Sequence, residues 1–183
     1  MILTHDKWSA AHREQAANLL VVGFRHQPDT WSEIDEAREE VQTFFDRPER
    51  RAWGFIEAGR LLGWVGAIET YDGHVWELHP IVTSPSHRKF GFGRLLVDAL
   101  ESAARAAGVL TLQLGADDDF DGTSLSGVDL YADLPGAIAD ATAGKVHPLG
   151  FYRKLGFVIT GVVPDANGPG KPDILMSKRV TPA

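Results

Sequence analysis

The chain has 183 residues, of which 44% are apolar and 23% charged, and it contains no cysteine. That is the size and composition of one globular domain, not of a disordered or coiled-coil chain, and it excludes disulfides, thiolate metal sites and a cysteine nucleophile. A formal charge of −7 argues against a nucleic-acid partner, which asks for a basic face; polar His5, Asp6 and Lys7 near the start, and no apolar run of spanning length, lead us to expect a cytoplasmic protein with no membrane partner.

Residues 10–22 are rich in helix formers. Asp29, Thr30, Trp31 and Ser32 offer caps to a second helix over 33–45, where Ile34, Ala37, Val41 and Phe44 recur at helical spacing before Pro48. Strands are predicted over 52–56, 61–70 and 75–83, joined by a turn at Ala58-Gly59 and by the hairpin signal Asp72-Gly73, making a three-stranded antiparallel meander. A third helix carries Leu96, Ala99, Leu100, Ala103 and Ala107 on one face until Gly108, and Leu110, Leu112 and Leu114 then alternate with Thr111 and Gln113 as a strand. Strand, helix and strand in that order imply a right-handed parallel crossover. The stretch at about 116–145 is too long for an ordinary connection and reads as an insertion with structure of its own or as a functional loop. A short helix over 148–155, with Pro148 in its first turn, and strands over 157–163 and 174–178 complete the chain. The expected fold class is α/β: a mixed, mostly antiparallel sheet with one parallel β-α-β crossover and flanking helices, in a single domain spanning 1–183.

The excess charge is local. Asp117, Asp118, Asp119, Asp121, Asp129, Asp133 and Asp140 carry seven negative charges with no Lys or Arg between them, which leaves 18 charges of each sign elsewhere. An acidic loop of this kind would attract and orient a cationic ligand. Asp117, Asp119, Asp121 and Gly122 also match the opening positions of a calcium loop, but Val128 stands where the bidentate Glu belongs, so no metal is expected.

Three segments carry chemistry. Arg88, Lys89, Phe90, Gly91, Phe92, Gly93 and Arg94 lie between a strand and a helix, where glycines and a helix N-terminus form a turn suited to phosphate. In the strand over 75–83, period two puts Glu77 and His79 on one face, and either could serve as a base. Pro80 cannot donate to the ladder, so a bulge or interruption is expected there. In the segment over 151–157, Phe151 and Leu155 share the buried face of a short helix with Tyr152 beside them.

In combination these segments resemble the GNAT superfamily of N-acetyltransferases over about residues 52–180. RKFGFG at 88–93 matches the family's acyl-CoA pyrophosphate motif, and FYRKLGF at 151–157 matches its tyrosine-containing helix. The resemblance implies acetyl-CoA as co-substrate. It also implies that the backbone from Arg88 to Arg94 holds the pyrophosphate, that the strand backbone at Ile81, Val82 and Thr83 bonds the pantetheine arm, and that Tyr152 stands where many members place the general acid. Members often have Asn seven residues before that tyrosine and Ala four before it; Lys145 and Pro148 occupy those places here, so the usual Asn contact is not carried over. A second wall of the acceptor site, from Trp31 and residues 27–45, fits the same resemblance, although packing explains a lone tryptophan equally well. The stretch from Lys145 to Ile174 is more particularly similar to bacterial GNAT proteins assigned as aminoglycoside 6′-N-acetyltransferases.

The implied reaction is acetyl transfer to a primary amine of a small cationic acceptor by direct attack in a ternary complex. Glu77 or His79 would serve as base, Tyr152 as acid, and Asp117, Asp118, Asp119 and Asp121 as the acceptor-attracting loop. Polyamines, amino acids and protein amines are the alternative acceptors, a non-catalytic acyl-CoA-binding module is the alternative class, and a homodimer stays open.

Overall fold

A computed structural model describes residues 1–25 and 30–180, so the proposed cap Asp29 and the Gln27 end of the acceptor wall lie outside the described residues. The chain packs as two compact units, one of residues 1–112 with Val180 and one of residues 113–179.

The first unit contains β1 (Ile2–Thr4), α1 (Ala10–Phe24), α2 (Ile34–Asp46), β2 (Arg50–Glu57), β3 (Arg60–Thr70), β4 (Val75–Thr83), α3 (Phe92–Ala106) and the start of β5 (Thr111–Asp117). Helix α1 begins at a reciprocal cap: Ser9 Oγ accepts from His12 N–H and His12 Nδ1 accepts from Ser9 N–H, both at 3.3 Å, satisfying two of the donors a helix start leaves open. Helix α2 buries Ala37, Val41 and Phe44, as its spacing predicts, but its N-cap residue is Glu33, which makes no side-chain cap.

The meander has four strands, because β1 pairs with β2 ahead of the three expected. Three residues carry no readable period, so only tertiary pairing reveals that strand. The β2–β3 turn places Ala58 and Gly59 at φ 48° and 75°, the left-handed pair that a two-residue hairpin requires. One face of the sheet packs Ala52, Ile56, Leu61, Trp64 and Val82 against Ala16, Ala17 and Leu20 of α1 and Ala37, Val41 and Phe44 of α2. Trp64 Nε1 donates to Ala16 O at 3.2 Å inside this core, so the indole is buried without an unmet donor.

Helix α3 buries Leu96, Val97, Leu100 and Ala104, a stripe rotated from the predicted one: Ala107 lies past the helix end and is exposed. Leu112 and Leu114 of β5 are buried, whereas Leu110, one residue before the strand, is 49% exposed. β5 follows β4 in the strand order and supplies the one parallel pair, with α3 as crossover. The expected fold class therefore holds: a mixed, mostly antiparallel sheet with flanking helices.

In the second unit the strands run in the order β5, β7 (Asp173–Arg179), β6 (Val158–Val163), with β6 and β7 antiparallel. The acidic insertion has structure of its own. Thr123 and Ala143 form an isolated antiparallel bridge, Leu125, Leu130 and Ala141 are buried, and α4 (Leu134–Ala139) is capped by Asp133, whose carboxylate accepts from Gly136 N–H at 3.0 Å. Helix α5 (Leu149–Lys154) follows, with Pro148 as its N-cap residue. No helix among the described residues is long and apolar enough to cross a membrane.

Candidate active site

The central device is a bulge in β4. Between the pairs Val65↔Ile81 and Ala67↔Leu78, β4 spends one residue more than β3, so Gly66 faces the His79-Pro80 step, whose peptide bond is cis. Directly paired residues share a face of a sheet. Glu77 pairs with Ile68 and Val82 with Trp64, and Ile68, Gly66 and Trp64 alternate along one face of β3, the face toward α1 and α2. Ile81 pairs with Val65 and lies on the other face. Strict alternation would have put Glu77, His79, Ile81 and Thr83 together; the extra residue lets Glu77, His79 and Val82 face the helices instead, and turns Ile81 and Thr83 away. The pairing of Glu77 with His79 and the interruption at Pro80 both agree with the sequence reading.

Around His79 stand residues of α2 and its approach. Its ring centroid lies 5.7 Å from that of Trp31, which in turn meets Phe24 edge-on at 4.8 Å. Its Nε2 is 3.7 Å from Glu40 Oε1, and Arg50 Nη1 donates to the same carboxylate oxygen at 2.8 Å. Beside this cluster is an open depression of about 470 Å³ lined by Thr30, Trp31, Glu36, Glu39, Glu40 and Thr43. Three of its six lining residues are glutamates on one face of α2, at the i, i+3 and i+4 positions that helix geometry brings together. Charge counting along the chain underrates them, because Arg38, Arg47, Arg50 and Arg51 offset four of the seven acids in residues 33–51.

The turn over residues 88–94 combines left-handed backbone with a helix start. Gly91 is the N-cap of α3 at φ 87° with no side-chain cap, and Lys89 is also left-handed at φ 68°. A Cβ placed at Gly91 meets no heavy atom within 4 Å, so space lies open in front of the helix start. Arg88 and Lys89 are exposed, and Phe90 is 72% exposed beside Phe92, which stacks on Phe55 at 4.3 Å. Open left-handed backbone, a helix N-terminus and two cations together suit a pyrophosphate.

In the second unit Tyr152 lies on α5, buried between Phe151 and Phe157 at ring separations of 5.2 and 5.7 Å. Burial pushes its hydroxyl well above the ordinary phenol range, so it keeps its proton at neutral pH.

The acidic loop divides by role. Asp118 is fully buried, and its carboxylate accepts from Gly122 N–H at 2.6 Å, Thr123 N–H at 2.8 Å and Thr123 Oγ1 at 2.6 Å. Three donors on one buried carboxylate organise the loop, which corrects the expectation that Asp118 attracts an acceptor directly. Asp117 accepts from Asn167 Nδ2 at 2.7 Å and Asp121 from Ser126 Oγ at 2.6 Å, while Asp119 has a buried oxygen without a protein partner. No group of three or more His, Asp or Glu residues suited to a metal occurs among the described residues.

His147 ties this loop to α5. Its Nδ1 accepts from Leu149 N–H and its Nε2 lies 3.1 Å from Asp117 O; an acceptor at Nδ1 leaves Nε2 as the donor, so the ring is neutral. Burial, the largest influence, lowers its pKa from the ordinary 6.5. An unfolded chain therefore takes up this proton at a higher pH than the folded one, and the contribution is present above pH 6.5 and lost as pH falls through the depressed folded value. Denaturant titrations are expected to show a steeper loss of stability from pH 7 to pH 5 in the wild type than in His147→Gln. Equal slopes would show that His147 does not couple folding to pH.

Strand bulge, glycine turn and crossover suit an acyl-CoA-dependent transferase, and the comparisons with known proteins show that class. Residues 15–124 match the model of the Acetyltransferase (GNAT) family, and the chain belongs to that family: it is an acetyl-CoA-dependent N-acetyltransferase of GNAT type. Three solved structures are similar over the whole chain. An aminoglycoside 6′-N-acetyltransferase complexed with coenzyme A is 38% identical, with 98% of that chain covered and a TM-score of 0.92. The aminoglycoside 6′-N-acetyltransferase from Enterococcus faecium is 37% identical, with 98% covered and a TM-score of 0.89. An aminoglycoside 6′-acetyltransferase type Ii is 33% identical, with 99% covered and a TM-score of 0.77. A search of curated proteins finds no significant match.

Proposed function

We propose that this chain acetylates a primary amine of a small polycationic acceptor, with an aminoglycoside 6′-amine as the specific acceptor. The observation that carries this reading is the depression lined by Glu36, Glu39, Glu40 and Trp31, which adjoins the β4 face bearing Glu77 and His79. An open rim of carboxylates beside an aromatic ring suits an amine-rich ligand that presents both charge and an apolar face. The similarity to three aminoglycoside acetyltransferases supports the same acceptor class.

The reaction follows from that placement. A typical alkylammonium has a pKa near 10.4, so freeing the amine at pH 7 costs about 4–5 kcal/mol. Glu77, directly or through a water, takes that proton, with His79 as the alternative base. The amine nitrogen attacks the thioester carbonyl carbon and an N–C bond forms; as the C–S bond breaks, the nitrogen sheds its second proton and the thiolate gains one, hydrogen-bonded or protonated by Tyr152, whose hydroxyl the nitrogen's proton restores in the second case. The turn from Arg88 to Arg94 holds the pyrophosphate, with backbone donors around Gly91 and Gly93 and the exposed charges of Arg88 and Lys89. The β4 backbone at Ile81 to Thr83 bonds the pantetheine arm. Asp117, Asp119 and Asp121 add negative charge that favours a cationic acceptor, with Asp118 shaping the loop that carries them.

A thiol-release assay with acetyl-CoA across aminoglycosides, polyamines, amino acids and peptide amines tests this reading, and the highest kcat/KM is expected for an aminoglycoside. The double variant Glu36→Gln/Glu39→Gln is expected to raise the acceptor KM about 10-fold at low salt and less at high salt, with kcat and the KM for acetyl-CoA nearly unchanged. A best substrate with a single amine, or a KM indifferent to salt and to these variants, would overturn the polycation reading. Coenzyme binding without turnover on any amine would indicate an acyl-CoA-binding module.

A further inference from the structure

Glu40 differs from the other two glutamates of the depression. Glu36 and Glu39 are exposed, whereas the Glu40 side chain is 17% exposed and its partner Arg50 15%. Arg50 Nη1 bonds Glu40 Oε1 at 2.8 Å and Thr43 Oγ1 at 2.7 Å, and its guanidinium lies over the Phe44 ring, 5.2 Å from the centroid. A guanidinium held by a hydroxyl and an aromatic face is a rigid anchor, and it fixes the carboxylate on the side of α2 that meets β4. The same Oε1 is 3.7 Å from His79 Nε2. That is too long for a hydrogen bond and within the range of an ion pair when the imidazole carries a proton. The ring also meets Trp31, and its backbone sits on the bulge opposite Gly66.

We propose that Glu40 is a positioning residue: locked by Arg50 and Thr43, it holds the His79 imidazole beside Trp31 at the acceptor depression, and it stabilises that ring when a proton reaches it. The division of labour on α2 then follows. Glu36 and Glu39 attract the acceptor, whereas Glu40 acts on turnover through His79. This rests on the proposed place of His79 in the acceptor site, so its test needs one readout free of turnover.

That readout is the His79 Cε1–Hε1 signal, which the current of the Trp31 ring displaces in the wild type. In Glu40→Ala, and less in Glu40→Gln, it is expected to move toward the position of a free imidazole; an unmoved signal overturns the proposal. In kinetics, Glu40→Ala is expected to lower kcat about 10- to 100-fold, the scale of a misplaced reacting group, with both KM values within about twofold. Glu40→Gln, which keeps an oxygen for Arg50, guards against a folding defect and is expected to show a smaller loss in the same direction. His79→Ala and Glu40→Ala/His79→Ala are expected to be equally slow, since a residue acting through another has nothing further to lose. Multiplying losses, or a raised acceptor KM with unchanged kcat, would overturn the proposal by making Glu40 a separate acceptor contact. A signal that moves while His79→Ala keeps full turnover would support the anchor and overturn instead the role of His79 in the reaction.

Discussion

Replacing Glu77 with Gln is expected to lower kcat by about 10²- to 10⁴-fold, the span typical of a lost general base, while the KM for acetyl-CoA stays within about twofold. The amide keeps the size and most of the hydrogen-bonding reach of the carboxylate but cannot accept a proton at neutral pH. Glu77 is half-buried on β4 opposite Ile68, on the face that His79 shares, so the substitution needs no repacking of the sheet. Steady-state kinetics with a pre-deprotonated acceptor, measured at high pH, should recover much of the loss, because the step that Glu77 serves is then already complete. If Glu77→Gln keeps nearly full activity and His79→Gln does not, the base is His79.

Gly66→Ala is expected to destabilise the protein by about 1–3 kcal/mol, the usual range for forcing atoms into a filled core, and to lower turnover as well. A Cβ at this position would lie 2.3 Å from His79 O and 2.5 Å from Phe44 Cε1. One neighbour is the backbone of the bulge and the other a fully buried ring, so neither yields cheaply. For a chain of this length each kcal/mol lowers Tm by roughly 2–4 °C. The clash pushes on the carbonyl of His79 itself, so the melting temperature and kcat should fall together. Gly161→Ala is the control: its Cβ would meet Leu175 Cδ1 at 3.6 Å, an ordinary contact, and little change is expected. A Gly66→Ala protein with wild-type Tm and kcat would mean that the close approach of β3 to the bulge is dispensable.

Both predictions depend on β4, and β4 shows how far local sequence carries. Pro80 announced an interruption of the ladder, because a residue without an N–H cannot sit in a regular central strand. Which faces the flanking residues would take was not legible, because a bulge inverts alternation beyond it and the pairing partner on β3 decides where the extra residue is absorbed. Glu77 and His79 stay together because the extra residue is absorbed at the His79-Pro80 step; Ile81 and Thr83 follow it and turn away. Gly66 carried no signal of its own, since nothing in the surrounding sequence indicates that another strand's carbonyl will approach it.

Charge behaved the same way. Seven uncompensated aspartates drew attention to the insertion, yet Asp118 is spent inside its own loop. The glutamates of the depression were hidden among nearby arginines, because net charge along a chain averages over side chains that point in different directions. Folding separates them: Arg50 is drawn inward onto Phe44 and Glu40, and Glu36 and Glu39 are left on an open face.

By itself the sequence determined the order and type of the main elements, the glycine turn before α3, and the common face of Glu77 and His79, because each is encoded by neighbours within a few residues through periodicity, turn chemistry or a compact motif. The tertiary structure alone decided the fourth strand of the meander, the facing of β4 after its bulge, the burial of Asp118 and the acidic depression beside Trp31. Each of those depends on pairing or packing between segments distant in the chain, and no local pattern specifies which partner a residue will meet.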